Sequence, residues 1–278
     1  MRLLNASGCL DALAAPEVVR GLDAYVTKTV TPLPREGNAP VRIAETELGM
    51  LNAIGLANPG IDAFLEHHLP RLAELGVPLW VSVGGFSLED YVHVAGRLAR
   101  RDEVETIELN LSCPNVDEVP ENVGEVVAAV RAVTVKPLYA KLSAAVADLG
   151  ATAGAAEAAG ADGLSLVNTV KGLALDERTL QPVLARGAGG LSGPALRPCT
   201  RIITARPWPS GRPTLMTGWP ACGGIPRWSI VVIPLAGAWP LCRFCDAEKV
   251  CLLAGAAPNG DRSEAGLDLG PERLFPWR

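Results

Sequence analysis

The stretch Glu108-Leu109-Asn110-Leu111-Ser112-Cys113-Pro114-Asn115 decides the fold of this chain. Apolar and polar residues alternate from Thr106 to Leu111, and this alternation predicts a short strand. The strand ends before Pro114, because proline cannot donate to a strand ladder and moves the residue before it out of the helical region. The sequence therefore places Cys113 where a strand leaves its sheet.

Cys113 has two interpretations on this stretch alone. A cysteine thiol titrates near about 8.5, so a modest change of environment gives a usable base or nucleophile. The neighbouring Asn110 and Asn115 add neutral donors and acceptors that can bind a polar ring without bringing charge. A cysteine at the end of a strand is also commonly buried and inert. The stretch by itself leaves both interpretations open.

Strands and helices alternate on both sides of this stretch. The predicted strands are 3–8, 24–28, 79–83, 106–111, 138–142 and 163–168, and the predicted helices are 11–21, 61–75, 88–101, 123–133 and 148–159. A steady alternation with apolar strands is the pattern of parallel βα units. A chain of 278 residues is long enough for one closed barrel of eight such units.

Polar side chains stand at or near the carboxyl ends of five predicted strands. These residues are Lys28, Ser82, Asn110, Lys141 and Asn168. In a closed barrel the carboxyl ends gather on one face, where active sites are built, whereas an open doubly wound sheet would bring them together less well. Strand ends are polar for structural reasons too, but the two lysines weaken that explanation. The sequence therefore favours an α/β fold, the (β/α)8 TIM barrel.

Two loops have features of binding segments. The segment 31–58 is too long for a plain connection, and its apolar residues favour a functional loop over a disordered one. The glycines of Gly189-Gly190-Leu191-Ser192-Gly193-Pro194 let backbone N–H groups approach a ligand closely. A glycine cluster carries little weight alone, so its meaning depends on the rest of the chain.

Composition and charge argue against several classes of protein. The net charge is −5 with both signs spread along the chain, which argues against nucleic acid or an anionic membrane as a partner. Seven irregularly spaced cysteines without an export signal indicate a reduced, cytoplasmic protein. No metal site is predicted, because structural zinc sites usually contain two close pairs of ligands. The candidate cysteines Cys222, Cys242, Cys245 and Cys251 include one close pair.

The chain changes character after Pro198. Five of the six tryptophans and five of the seven cysteines follow it, and prolines recur every few residues. An interior proline costs a helix about 3 kcal/mol, so long helices are not expected there. Ser229–Ile233 is the tail segment with the β-branched run of a buried strand. Six strands precede Pro198 and a barrel needs eight, so we expect an incomplete barrel with an irregular tail.

The motifs of the first two thirds of the chain resemble those of the class 1 dihydroorotate dehydrogenases, FMN-dependent barrels of pyrimidine biosynthesis. The matching motifs are 5–8, 27–29, 34–38, 50–56, 110–115, 141–143, 168–169 and 189–194. The resemblance runs from about Leu4 to Pro198 and implies an FMN-binding barrel domain at 1–198. The form of segment 50–56 is most similar to the subclass that pairs with an iron–sulfur/FAD subunit and passes electrons to NAD. A homodimer is also implied.

The resemblance implies a reaction and a set of site residues. Cys113 matches the base that removes a proton from C5 of dihydroorotate, while hydride leaves C6 for N5 of FMN and orotate forms. The residues that match substrate-binding positions are Lys28, Asn52, Ala53, Ile54, Gly55, Leu56, Asn110, Asn115, Asn168 and Thr169. The residues that match cofactor-binding positions are Ser7, Lys28, Thr29, Ser82, Asn110, Lys141, Val167 and Gly193.

Two departures from the family's pattern matter. The loop 116–122 is shorter than in many relatives and lacks their glycine-rich insert, a segment that tends to cover the substrate. From about Cys199 onward, the glycine-rich turns that hold the FMN phosphate in the family have no match. An abrupt loss of resemblance, with a rise in tryptophan, cysteine and proline, is what a reading-frame shift produces. We interpret 199–278 as frame-shifted, with a genuine divergent domain as the alternative.

Two other functions stay open beside dihydroorotate oxidation. The first is that of the related uracil-reducing flavin barrels, which share the Cys-Pro-Asn loop, although the match from Thr27 to Leu56 favours dihydroorotate. The second is a non-catalytic barrel remnant that cannot hold FMN because its phosphate site is missing.

Overall fold

The structure, a computed structural model, describes residues 2–47, 49–111, 122–193, 196, 214–216 and 229–233, the last two segments by their backbone. Several predicted features lie outside these residues. They are Cys113, Asn115, the loop as far as 121, Pro194, the four cysteines of the candidate metal site and most of the segment 199–278.

The central sheet of the described residues contains eight strands. They are β1 (Arg2–Asn5), β2 (Tyr25–Val26), β5 (Leu79–Val83), β6 (Val104–Asn110), β7 (Leu138–Lys141), β8 (Gly163–Leu166), β11 (Thr214–Met216) and β12 (Ser229–Ile233). Their order in the sheet is β1-β12-β11-β8-β7-β6-β5-β2. An isolated parallel bridge between Leu4 and Ala24 joins β1 to the segment that enters β2. All six strands predicted before Pro198 are therefore confirmed.

The last two strands differ from the regular part of the barrel. β11 pairs with β8 in parallel, but β12 runs antiparallel to both β11 and β1. β12 is the tail strand that the β-branched run predicted. β11 was not predicted, because three residues after Pro213 are too few to show an alternation. Regular parallel strands with an atypical C-terminal end agree with the incomplete TIM barrel expected from the sequence.

Short helices follow most of the parallel strands. They are α1 (Pro16–Val19), α2 (Gly60–Ala63), a π-helical segment (Phe64–His68), α3 (Leu69–Ala73), α4 (Leu88–Leu98), α5 (Val123–Arg131) and α6 (Leu149–Ala158). The side chains of Ser87, Asn122 and Asp148 cap α4, α5 and α6 by accepting a backbone N–H. None of the described helices is long and apolar enough to cross a membrane.

Two predicted helices differ from those in the structure. The helix predicted at 61–75 is divided by the π-helical segment, which lies just before Pro70, a residue without an N–H to donate within the turn. The helix predicted at 11–21 is limited to α1, because the Asp11 carboxylate accepts N–H groups from Leu13 and Ala14 and holds a turn there.

Side chains of the parallel strands face either the helices or the barrel interior. Those that face the helices belong to the main apolar core, for example Val81, Ile107 and Leu138. A separate apolar cluster fills the interior towards the amino ends of the strands. It consists of Leu4, Ala24, Val26, Trp80 and Tyr139, with the Trp80 and Tyr139 ring centroids 4.6 Å apart. Polar residues follow on the same strands, so the carboxyl end of the interior is polar.

A second, smaller sheet gathers segments that the sequence analysis treated as loops. Its strands are β3 (Ile43–Thr46), β4 (Gly49–Asn52), β9 (Val170–Gly172) and β10 (Gly189–Ser192), in the antiparallel order β3-β4-β10-β9. β4 comes from the long loop, β9 follows Asn168 and Thr169, and β10 is the glycine-rich segment. This sheet therefore connects three of the predicted binding segments.

Candidate active site

A hydrogen-bonded layer of polar side chains lies at the carboxyl ends of the barrel strands. The Asn168 amide donates to Asn110 Oδ1 at 2.9 Å, and the Asn110 amide donates to Thr29 Oγ1 at 3.1 Å. Thr29 Oγ1 in turn lies 3.0 Å from Ser82 Oγ and 3.4 Å from Ser7 Oγ. We call these five residues the polar layer. It joins five separate segments: four follow strands whose carboxyl ends the sequence predicted would meet, and the fifth contains Ser7, which the family resemblance implied.

The direction of these hydrogen bonds fixes the amide of Asn110. Because Asn110 donates to Thr29, the Thr29 hydroxyl hydrogen is left for Ser82 or Ser7. Ser7 itself donates to the carbonyl of Thr27 at 2.9 Å, so its oxygen can accept from Thr29. A reversed Asn110 amide would set its nitrogen against the Asn168 amide nitrogen, so the bond with Asn168 would be lost. The polar layer therefore holds this side chain in one orientation.

Two residues without a predicted role hold the backbone of strands that carry the layer. The Tyr91 hydroxyl donates to the backbone carbonyl of Asn110 at 2.8 Å and is almost completely buried. Asn5 brackets β2, since its amide donates to the Val26 carbonyl and its oxygen accepts the Val26 N–H. Asn5 belongs to the family motif at 5–8, so the sequence could have indicated a role for it. Tyr91 has the pattern of an ordinary core residue of α4.

Lys141 lies in the same region and faces a buried carboxylate. Its Nζ is 4.0 Å from Glu108 Oε1, and Ser165 donates to the other Glu108 oxygen at 2.8 Å. Lys141 is 6% exposed and Glu108 is fully buried. The family resemblance implies a cofactor contact for Lys141 and no role for Glu108, although alternation along β6 places Glu108 on the inner face of that strand.

Lys28 extends over the glycine turn after β1. A Cβ atom on Gly8 would lie 2.9 Å from Lys28 Nζ, so Lys28 would have to move aside, and the φ of +74° at Gly8 disfavours any residue with a side chain. The charges of Lys141 and Lys28 both act to lower the pKa of the Cys9 thiol, but burial outweighs them and raises it to about 11. Cys9 is therefore a protonated, unreactive thiol at neutral pH.

The predicted substrate segment Asn52–Leu56 packs against β10 and the segment around Asn38. The Asn52 amide donates to the Gly190 carbonyl at 3.2 Å, and the Asn38 amide donates to the Ala53 carbonyl at 2.9 Å. Gly55 and Leu56 have φ values of +76° and +58°, so consecutive residues occupy the left-handed region. Asn38 thus fixes a backbone shape that the sequence alone did not reveal.

The remaining predicted residues are placed as follows. Thr169 donates its N–H to Asn168 Oδ1 at 2.8 Å, so it adjoins the polar layer. Val167 is buried just after β8, and Gly193 follows β10 with a φ of +115°. Among the described residues, no three His, Cys, Asp or Glu side chains are close enough to hold a metal ion.

The chemistry of this region suits a planar ring that carries carbonyl oxygens and negative charge. Hydroxyl, amide and ammonium groups supply donors, and the buried carboxylate of Glu108 is engaged by Ser165 and Lys141. The pyrimidine half of a flavin and an orotate-like acid both have that character. The part of the chain after Cys199, where this sequence has no match for the family's FMN-phosphate turns, lies largely outside the described residues.

Comparisons with known proteins identify one family. The sequence model described as dihydroorotate dehydrogenase matches residues 2–205. Relatives named dihydroorotate dehydrogenase B (NAD(+)), catalytic subunit, are 47% identical in Listeria welshimeri, 48% in Listeria innocua and 44% in Halalkalibacterium halodurans, each over 206 residues. The match covers 70% of this chain and 68% of each relative, so the chain spans about two thirds of their length.

A solved structure shows the same fold. The crystal structure of DHODH from Eimeria tenella in complex with ferulenol superposes with a TM-score of 0.57 at 21% sequence identity. The superposition covers 71% of this chain and 63% of that chain, so the likeness spans less than two thirds of that structure.

Proposed function

The chain belongs to the dihydroorotate dehydrogenase family, oxidoreductases that convert dihydroorotate to orotate in pyrimidine biosynthesis, and we propose that its polar layer and Cys113 carry out this reaction with bound FMN. The single observation that carries the proposal is the hydrogen-bonded chain from Asn168 through Asn110 and Thr29 to Ser82. It places neutral amides beside Lys28, the neighbour of Thr29 in the chain, and Lys141, which pairs with Asn110 across the sheet.

In this proposal the substrate is held by charge and by amide groups. Dihydroorotate is an anion with ring carbonyl and N–H groups, so a lysine can pair with its carboxylate and asparagine amides can orient its ring. We assign the carboxylate to Lys28 and the ring to Asn52, Asn110, Asn115 and Asn168, while Thr169 and the backbone of 53–56 complete the pocket. The fixed amide of Asn110 orients the ring at little entropic cost.

Cys113 is the proposed base. Its thiolate would take the proton from C5 as the C5–H electrons form the C5=C6 double bond. Bound FMN would supply the hydride acceptor for C6. Leu111, two residues earlier, is anchored by its N–H, which donates to the carbonyls of Leu109 and Lys141 at 3.1 and 3.2 Å. This anchor limits the motion of the strand end that leads into Cys113.

The proposed cofactor contacts are Ser7, Lys28, Thr29, Ser82, Asn110, Lys141, Val167 and Gly193. Lys141 would place positive charge where negative charge develops on the cofactor side of the reaction. Hydroxyls of the polar layer can donate to ring acceptors without competing for the proton of the base.

A partner subunit is implied by the names of the relatives, each of which is a catalytic subunit of an NAD(+)-linked enzyme. For this chain we propose an iron–sulfur/FAD electron-transfer subunit that passes electrons to NAD, together with a homodimer of catalytic chains. The irregular cysteine spacing supports a reducing compartment, so we place the protein in the cytoplasm.

A non-catalytic remnant is the second candidate. It is favoured by the extent of the family match, which ends at residue 205 of 278, before the expected phosphate-binding turns. We propose that a reading-frame shift near Pro198 produced the part of the chain that lacks a match.

The visible spectrum of the purified chain separates these two candidates. The chain is mixed with FMN, freed of unbound flavin and examined for flavin absorbance, then treated with dihydroorotate without oxygen. We expect flavin to remain bound and its absorbance to bleach. A colourless protein would support the remnant, and bleaching by dihydrouracil but not by dihydroorotate would reassign the substrate.

A further inference from the structure

Glu108 is a buried acid to which neither the sequence motifs nor the proposed reaction assigns a role. It is fully buried and lies on the inner face of β6, with Ser165 of β8 and Lys141 of β7 as its neighbours. Burying a carboxylate is costly unless it is paired and hydrogen-bonded, and an apolar residue of similar size is often at least as stabilising. Stability of the barrel alone therefore does not explain a glutamate at this position.

The strand register places Glu108 one step below the polar layer. Asn110 pairs across the sheet with Lys141, and Lys141 pairs with Ser165, whereas Glu108 pairs with Tyr139 nearer the amino ends. A ligand resting on Asn110 and Lys141 would therefore be separated from Glu108 by their side chains. Glu108 can affect such a ligand through Lys141, but it does not reach the reacting atoms.

The Lys141 ammonium group forms an ion pair with Glu108 but does not donate a hydrogen bond to it. The 4.0 Å between Nζ and Oε1 is an ion-pair distance but is too long for a hydrogen bond, and Oε1 has no hydrogen-bond partner within the described residues. Ser165 fixes the opposite oxygen at 2.8 Å and so sets the direction of the carboxylate. The Glu108 carboxylate thus offsets the positive charge of Lys141, while the N–H donors of Lys141 remain available for a ligand.

We propose that Glu108 is a positioning residue that acts through Lys141: it holds the ammonium in the barrel and reduces its effective charge towards the flavin. The inference rests on the proposed function, since it takes the flavin ring as the ligand of Lys141. An uncompensated lysine would stabilise negative charge on the reduced cofactor too strongly and slow the return of electrons to the next acceptor. Glu108 thereby sets the reduction potential of the bound cofactor.

The test compares Glu108→Gln with Glu105→Gln in the FMN-loaded protein. Glutamine keeps the size of Glu108 and an oxygen for Ser165 but removes the charge, and Glu105 is an exposed acid on the same strand, at its amino end. Sulfite adds a negative charge to a flavin ring, so its affinity reports the local positive charge. We expect about tenfold tighter sulfite binding and a higher midpoint potential in E108Q, no change in E105Q, and weaker sulfite binding in Lys141→Met.

Unchanged or weakened sulfite affinity in E108Q would overturn the inference. In a further variant, Glu108→Asp, the charge is kept, so the sulfite affinity should return towards that of the unaltered protein. The double variant E108Q/K141M leaves no lone buried charge, so it should fold even if a single variant does not.

A protein that binds no FMN would refute the proposed function. A second measurement, which needs no flavin, then tests whether Glu108 acts on Lys141. In urea unfolding of the flavin-free chain, the effects of E108Q and K141M should be non-additive in the double variant, because the two charges interact. Additive effects would mean that Glu108 does not act on Lys141.

Discussion

At the scale of single residues, the site depends on a few polar atoms that are shared between neighbouring strands. Thr29 is the clearest example, since its hydroxyl accepts the Asn110 amide and also contacts Ser82 and Ser7. Thr29 and Asn110 are nearly buried, so an amide that loses this acceptor is not compensated by water. The hydroxyl of Thr29 is thus needed for the orientation of Asn110 as well as for any direct ligand contact.

We predict that Thr29→Val, which replaces the hydroxyl by a methyl group of similar size, lowers the free energy of unfolding by about 1–3 kcal/mol, the cost of a buried unsatisfied donor. It should also raise the KM for dihydroorotate, because the Asn110 amide is no longer fixed. Urea unfolding and steady-state kinetics measure the two effects. Thr152→Val is the control, since the Thr152 hydroxyl bonds a carbonyl of its own exposed helix turn. Equal losses in both variants would contradict a special role for Thr29.

The buried thiol of Cys9 gives a prediction about pH. Its pKa is raised from 9.0 to about 11 by burial, so the folded chain retains the proton where the unfolded chain loses it. The stabilising contribution is therefore fully present below pH 9 and disappears as the pH rises to about 11. We expect the free energy of unfolding to fall over this range by up to about 1.4 kcal/mol per pH unit more than in Cys9→Ala. If the free energy of unfolding depended on pH in the same way in both proteins, the raised pKa of Cys9 would be refuted.

At the scale of elements, the parallel strands were predictable and the small sheet was not. Apolar runs such as Leu79–Val83 and the polar residues at their ends follow from periodicity and from the geometry of βα units. The small sheet depends on pairing between β4 and β10, segments about 140 residues apart, and β10 has two glycines that give no strand pattern. The Glu108–Lys141 pair was missed for a similar reason, because only the register of β6 and β7 brings the two residues together.

The turn at Gly55 offers a test of how the segment around Asn38 supports the substrate segment. A Cβ atom on Gly55 would lie 2.8 Å from the Asn38 backbone nitrogen, whereas one on Gly76 would meet nothing within 4 Å, although both residues have positive φ. Gly76→Ala should thus cost about 1 kcal/mol of unfolding free energy for its backbone conformation alone. We expect Gly55→Ala to cost clearly more and to weaken dihydroorotate binding, measured by calorimetric titration. A cost equal to that of Gly76→Ala would show that the contact with Asn38 is unimportant.

At the scale of the whole molecule, the family match and the barrel end in the same part of the chain. The match stops at residue 205, and the two strands beyond it include β12, which runs against its neighbours. A parallel barrel closes when its last strand pairs in parallel with its first, whereas here β12 pairs with β1 in the antiparallel direction. The proline-rich, tryptophan-rich composition after Pro198 is the sequence feature that pointed to this end of the chain.

We predict that limited proteolysis cleaves the chain first between Cys199 and Arg278, and that the chain is marginally stable and prone to aggregate. Mass spectrometry of the early fragments locates the cuts. Resistance of this region equal to that of the strand before Cys113 would mean that the tail is a genuine domain and that the reading-frame interpretation is wrong.

The central claim, that Cys113 is the base of a dihydroorotate dehydrogenase, is tested most directly by the rate at which dihydroorotate bleaches bound flavin without oxygen. We predict that Cys113→Ser slows this step by about 10²–10⁴-fold at neutral pH with FMN binding unchanged, since a cysteine thiol yields thiolate near neutral pH whereas a serine hydroxyl stays protonated. Cys9→Ala, which removes the buried thiol, should bleach at the rate of the unaltered chain. Bleaching by Cys113→Ser at that same rate would contradict the account.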